Sequence, residues 1–363
     1  MEVRPASPRE LEAWDDLTVH PGGGHVLQSM TWARHRAASG WRPHHLVLGD
    51  GSAVLALERR WPLIGGSSVY LPRGPIPAGS VDAMAARLDA VTGWLRGHGA
   101  DVVATDPEIP TATGYPARVA DIGFRQIEEI QPSRHRFSLA LGHGADPEAV
   151  FAAVAKSTRQ RIRGAERDGT RIIRHDHVAA NDPGPGFTAA AEPVGSALDR
   201  FYDLMLQTGE RRHFAFGPRA AFLRWWQAAH DAGLLLLLEA RAADDTPLAG
   251  LILYRHGGRL STVHSADDAG LRRSHPGTLH LLRWRAIELA IREGCAEMDL
   301  GGVDVPGMRR EPRPGEPMHG LAEHKRAFGA TWLELTGAHE RVLRPNRYAL
   351  GRALARAARV VGR

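Results

Sequence analysis

The chain has 363 residues, 43% of them hydrophobic, and 46 Lys and Arg against 41 Asp and Glu give it a net charge of +5. That length accommodates two domains with real cores, and a single cysteine, Cys295, excludes internal disulfides and multi-cysteine metal sites. No apolar leader opens the sequence and the longest apolar run, Leu234 to Leu238, is too short to span a bilayer, so a soluble, cytoplasmic protein is expected. The cations are mostly Arg and are clustered, which suits phosphate-bearing partners.

Ser7 and Pro8 open a first helix over residues 8–19, with Leu11, Trp14 and Leu17 on its apolar side. Pro21-Gly-Gly-Gly breaks it. A short strand or turn from His25 then enters a second helix through Trp32. His44 to Leu48 and Ala53 to Arg60 alternate around Gly49-Asp-Gly, a hairpin pattern. Ser67 to Leu71 is a further strand. Val81, Met84, Leu88, Val91 and Leu95 share one helical face. Strands follow at Val102 to Asp106 and Ser133 to Leu141.

The second half repeats that order. Leu234 to Ala240 and Ala249 to Tyr254 form a hairpin, Leu260 to Ser265 a strand, Leu279 to Ala290 a helix entered through Pro276-Gly277, and Ala296 to Leu300 a closing strand. The offset is about 190 residues, as in a duplicated domain. Antiparallel strands followed by a helix and another strand make the class α+β. The pattern resembles the acyltransferase fold of the GNAT type, used twice in tandem as a duplicated mixed sheet flanked by helices. In that fold a Gly-rich turn at a helix start cradles the pyrophosphate of an acyl-CoA. Here the place reads Arg272-Arg-Ser-His-Pro-Gly277-Thr, with the wrong glycine spacing and a proline, which disfavours acetyl-CoA.

Asp299-Leu-Gly-Gly302 ends the closing strand. A long loop with Pro306, Pro312, Pro314 and Pro317 follows, and then His324-Lys-Arg-Ala-Phe-Gly329. Val303 to His319 is expected to be a mobile lid. Lys325 is a candidate electrophilic group beside a surface-lysine alternative. Lys156, Arg159, Arg161, Arg163 and Arg167 fall on one helix, either a solvated face or a phosphate-tracking one. His175-x-His177 has no third ligand nearby, so no metal is assigned. The C-terminal helix sets Arg352, Arg356, Arg359 and Arg363 on one side. It either docks on an anionic membrane or, the commoner use, packs on its own domain.

Several stretches together resemble the Fem family of peptidoglycan aminoacyltransferases. They are Gln28-x-x-x-Trp32-Ala-Arg-x-Arg36, Gly40-Trp41, Gly74-Pro75, Asp106-Pro-Glu108, Lys156-Ser-Thr-Arg-Gln-Arg-Ile-Arg-Gly-Ala, Glu210-Arg-Arg, Pro276-x-x-Leu-x-x-x-x-Trp284, Asp299-Leu-Gly-Gly302 and His324-Lys-Arg-Ala-Phe-Gly329. The resemblance implies two GNAT-like domains, residues 1–143 completed by 338–363, and residues 144–337. It implies transfer of an amino acid from aminoacyl-tRNA to an amine of a peptidoglycan precursor, with no cofactor and with peripheral membrane contact left open. Lys325 would stabilise the developing charge, and Asp106 would bind or deprotonate the acceptor amine. Arg34 or Arg36, Arg211, His264 and His324 would hold substrates, and Lys156, Arg159 and Arg163 would meet the tRNA. The sequence departs from the family at His324, usually Phe, at His264, usually Tyr, and around Gly217 and Ala221. Two alternatives stand: an acyl-CoA-dependent N-acyltransferase of an envelope polysaccharide or amino sugar, and a non-catalytic binding member of the family.

Overall fold

The structure, a computed structural model, describes residues 1–361 except 78, 143 and 213–216, and their side chains except those of 212 and 358–361. The chain forms two compact units. One comprises Met1–His135, Pro306–Arg310 and Leu333–Arg363, and the other Arg136–Val305 and Glu311–Trp332.

The first unit is built on a sheet in the order Val3–Pro5, Arg42–Leu48, Ala53–Arg60, Ser67–Leu71, Ala100–Thr105, His339–Val342, Arg125–Gln126. Alternation in the hairpin residues places Leu46, Leu48, Val54 and Ala56 in a core with Leu71, Leu88, Val91 and Val103. Ser67–Leu71 and Ala100–Thr105 are parallel and joined by helix Val81–Gly97, whose Ser80 side chain caps it through the Ala83 N–H. The expected first helix breaks at Ala13 into Pro8–Glu12 and Trp14–Thr18, although Ser7 and Glu10 do form a capping box.

The C-terminal helix Pro345–Val361 packs on this unit. Arg347 reaches the buried Asp101 carboxylate at 2.7 Å, and the Trp61 ring lies so close to Gly351 that a Cβ there would meet it at 2.3 Å. The outer Arg359 and Arg363 expected on this helix lie outside the described side chains. Among the described residues no helix is long and apolar enough to cross a membrane.

The second unit carries an eight-stranded sheet in the order Thr331–Leu333, Arg136–Ala140, Glu297–Asp299, Arg259–Asp267, Pro247–His256, Leu235–Arg241, Arg171–Asp176, Thr188–Ala189. Helices Lys156–Arg167 and Thr278–Arg292 bury Ile162, Leu282, Trp284 and Ile287 against Leu238, Leu251 and Met298. Strand Arg136–Ala140 pairs with Glu297–Asp299, so it belongs to this sheet and not, as a boundary after residue 143 implies, to the first domain. Helices Val194–Arg212 and Arg219–Asp231 were not anticipated from the sequence pattern.

The two sheets differ where it matters for chemistry. In the first unit the parallel pair stays together from Ser67 to Leu71. In the second, Arg259–Ser261 pair with Glu297–Asp299 and the pairing then stops, while the longer strand continues to Asp267. A register shift beside Ile252 leaves Val263 as an extra residue between Thr262 and His264. Such bulges re-aim side chains next to functional openings.

Candidate active site

At this divergence the shorter strand turns away through Gly301 and Gly302. Gly301 takes φ +80, and a Cβ there would stand 3.1 Å from the Thr262 carbonyl and 3.5 Å from the Lys325 ammonium. Only glycine meets both demands without strain. The Asp299 carboxylate accepts the Gly301 N–H at 2.7 Å and sets the turn.

Helix His319–Arg326 returns to the same place. Ala322 and Phe328 anchor it in the core, which sinks Lys325 to 3% exposure. The surface-lysine reading therefore fails. The ammonium donates to the Gly301 carbonyl at 2.8 Å and the Gly302 carbonyl at 3.2 Å. Gly301 O also accepts the Phe137 N–H at 3.1 Å, so the lysine locks the turn to the neighbouring strand.

Beside Lys325 stands a group that only the fold assembles. Arg283, 5% exposed, donates its Nε–H to His324 Nε2 at 3.3 Å, and its Nη1 has no acceptor among the described residues. Burial lowers the Arg283 guanidinium to about 10, with Asp299 opposing. His324 packs edge-on to His280 at 4.6 Å and to Phe328 at 5.3 Å. Burial first, then the charge of Arg283, drives His324 down to about 2. Burial, Arg161 and Arg283 bring His280 to about 4. Both rings are neutral near pH 7, and Arg161 lies 3.4 Å from His280 Nε2. The result is a neutral aromatic face flanked by the cations Arg161, Arg283 and Lys325. Such a site suits a planar group carrying a phosphate.

His264, on the bulged strand, lies against Trp226 at 5.6 Å and Phe222 at 6.0 Å, and burial lowers it to about 4. Arg211 is held by Asp267 at 3.1 Å, which also binds Arg272, and not by an open cleft. Segment 213–216 and the Arg212 side chain lie outside the described residues.

The helix Lys156–Arg167 faces its cations outward and buries Thr158, Ile162 and Ala165. Arg159, however, donates to the Ala152 and Val154 carbonyls at the end of helix Pro147–Ala153, so it braces that helix end. Lys156 and Arg163 are exposed, with Arg163 over the Phe151 ring at 5.5 Å.

In the first unit Asp106 is fully buried at the end of its strand. Its carboxylate accepts the Tyr70 O–H at 3.0 Å and the Arg73 N–H at 2.8 Å, and Gln131 donates to the Tyr70 oxygen at 3.1 Å. Burial raises Asp106 to about 6 against the pull of Arg73. With both oxygens engaged and no exposure, Asp106 does not present itself to a substrate amine directly.

Gln28 is also buried, bonded to Leu55 on both its amide ends and to the Pro72 carbonyl, so the Gln28 motif is a brace. Arg36 lies over Trp32 at 5.4 Å and Trp41 at 5.0 Å, with Arg59 over Trp41 at 5.7 Å. Among the described residues no carboxylate pairs with Arg36 or Arg59. Arg34 is exposed in the last turn of helix Met30–Ala37, apart from this stack.

Two further expectations change. Pro306–Arg310, the middle of the expected lid, belongs to the first unit. There Arg309 binds Glu128 and the Pro132 carbonyl, and its own carbonyl accepts His135 Nε2 at 2.7 Å. Glu311 pairs with Arg326 in the second unit. The loop is tied at both places. His175 is buried beside Glu239, whereas His177 comes together with His230 and Asp231, their ligand atoms within 4.8 Å.

A family model described as an acetyltransferase (GNAT) domain matches residues 156–326. No curated protein matches at the sequence level. Among solved structures, FemX superposes with a TM-score of 0.75 at 19% identity, over 96% of this chain and 99% of that one. The C-terminal domain of a putative lysylphosphatidylglycerol synthetase from Agrobacterium fabrum gives 0.53 at 15% identity, over 96% and 95%. L-PGS from Bacillus licheniformis gives 0.54 at 12% identity, over 98% and 97%. Residues 156–326 carry a GNAT-type acyltransferase domain, and the chain as a whole has the fold of FemX.

Proposed function

We propose that this enzyme transfers an amino acid from aminoacyl-tRNA to an amine on the stem peptide of a peptidoglycan precursor. The observation that carries the reading is the site around Lys325: a buried ammonium on the Gly301-Gly302 turn, next to neutral His324 and His280 and the incompletely paired Arg283. The terminal nucleotide of a charged tRNA offers a base to stack and phosphates to bind, which matches that pairing of groups. The name of the neighbour described as a putative lysylphosphatidylglycerol synthetase supports aminoacyl transfer on this fold.

Aminoacyl-tRNA is an activated ester, so the reaction needs neither nucleotide hydrolysis nor a metal. The acceptor amine attacks the ester carbonyl, a C–N bond forms, and the C–O bond to the ribose oxygen breaks. Lys325 stabilises the negative charge that develops on the reacting oxygens. The ester would lie beside it, where the parallel pairing ends and the Thr262–His264 bulge begins. On the acceptor side, Arg36 and Arg59 hold a phosphate of the nucleotide- or lipid-linked precursor. Asp106 is a positioning residue, orienting Tyr70 and Arg73 toward that substrate.

The acyl-CoA alternative is less well supported. Arg272, at the place of the pyrophosphate cradle, is engaged by Asp267 at 2.6 Å, and the space beside Gly277 is filled by the Arg161 carbonyl, 2.3 Å from where a Cβ would be. Incubation with a charged tRNA pool and purified precursors, read by mass, tests the proposal. A gain of one aminoacyl residue on the acceptor supports it, and an unchanged acceptor mass refutes it.

A further inference from the structure

The hairpin loop after strand Ala53–Arg60 reads Trp61-Pro-Leu-Ile-Gly-Gly, an apolar tip set between Arg59-Arg60 and the glycines. Leu63 is 94% exposed and holds φ +63, a conformation that a bulky residue seldom takes. An exposed leucine kept in a left-handed turn that glycine would fill more readily points to a use for the side chain.

The tip is fastened to the C-terminal helix. The buried Asp101 carboxylate accepts the Trp61 Nε1–H at 2.9 Å on one oxygen and the Arg347 guanidinium at 2.7 Å on the other. A Cβ on Gly66 would meet that carboxylate at 2.0 Å, and one on Gly351 would meet the Trp61 ring. Tip and helix are therefore held side by side. On the helix, Leu350, 50% exposed, and the exposed Ala353 and Ala357 share a stripe, with exposed Arg352 and Arg356 alongside. Among the described residues no carboxylate pairs with Arg60, Arg352 or Arg356.

An apolar tip bordered by uncompensated arginines matches a bilayer with anionic headgroups: the leucine enters the acyl boundary and the arginines meet the lipid phosphates. We infer that the Trp61–Ile64 tip and the C-terminal helix dock this protein on an anionic membrane surface. This goes beyond the transferase reading and does not depend on the donor.

The test is co-sedimentation of the full chain with vesicles of phosphatidylglycerol in phosphatidylcholine, and with phosphatidylcholine alone, without donor or acceptor. The wild type binds the anionic vesicles, binds the neutral ones at least tenfold more weakly, and is released by high salt. Leu63→Glu weakens anionic-vesicle binding about tenfold or more, as does Arg352→Glu with Arg356→Glu, while thermal unfolding stays as in the wild type. Leu63→Ser, a milder change, moves binding in the same direction and serves if the charged variant folds poorly. Wild-type protein that stays in the supernatant with anionic vesicles overturns the proposal, and so does undiminished binding by both Leu63 variants. Because no transfer is measured, either result leaves the catalytic reading to its own assay.

Discussion

Replacing Lys325 with Met keeps the length and most of the volume of the side chain and removes its charge. The ammonium supports two carbonyls, at 2.8 and 3.2 Å. Gly301 O keeps the Phe137 N–H, but the carbonyl of partly buried Gly302 loses this donor. Leaving a buried acceptor unsatisfied costs about 1–3 kcal/mol. For a unit of this size about 2 kcal/mol corresponds to a fall in Tm of roughly 4–8 °C. If the same charge stabilises the reacting oxygens, turnover drops by about 10²-fold or more, the scale for one such donor. Thermal unfolding and single-turnover transfer, measured well below the variant's Tm, read the two effects separately. Wild-type turnover would remove Lys325 from the chemistry, and an unchanged Tm would remove it from the turn.

Other outcomes follow from the same geometry. Gly301→Ala places a methyl group 3.1 Å from the Thr262 carbonyl at φ +80 and is expected to destabilise by more than about 1 kcal/mol, read by denaturant unfolding. Because burial raises Asp106 to about 6, the folded chain holds a proton that the unfolded chain releases from about pH 4 upward. Stability from this group therefore falls as pH rises from about 4 to 6, by at most about 3 kcal/mol, and Asp106→Asn flattens that limb of the stability profile. Lys156→Glu with Arg163→Glu weakens tRNA binding and reduces the salt slope by about 0.7–0.9 per lost phosphate contact. Arg159→Ala instead lowers thermal stability, because it frees the Ala152 and Val154 carbonyls.

The sheets and the two long crossover helices were legible because alternation and helical periodicity are local properties of the chain. Ser7 with Glu10, the hairpin around Gly49-Asp-Gly and the turn at Gly301-Gly302 each carry their structure in adjacent residues. What depended on distant partners was not legible. Strand Arg136–Ala140 reads like its sequence neighbours, but its partner lies some 160 positions later, at Glu297–Asp299. Arg159 looked like one cation of a run, and only the end of the preceding helix, at Ala153, gives it carbonyls to brace. Asp106 ends a strand as expected, yet Tyr70 and Arg73 take up its oxygens across the sheet. Arg283 was missed although a signal existed. Leu281, Leu282, Trp284, Ala286 and Ile287 surround it, which leaves such a helix no solvent side on which to place a guanidinium.

The central claim concerns the donor. The direct measurement presents the enzyme and one acceptor with charged tRNA and, in a parallel reaction, with acyl-CoA, following loss of the aminoacyl ester in one and release of free thiol in the other. The account predicts acceptor-dependent ester consumption that disappears when the tRNA is digested by ribonuclease, and no thiol release above the enzyme-free rate. Acceptor-dependent thiol release, with the charged tRNA left intact, would contradict it.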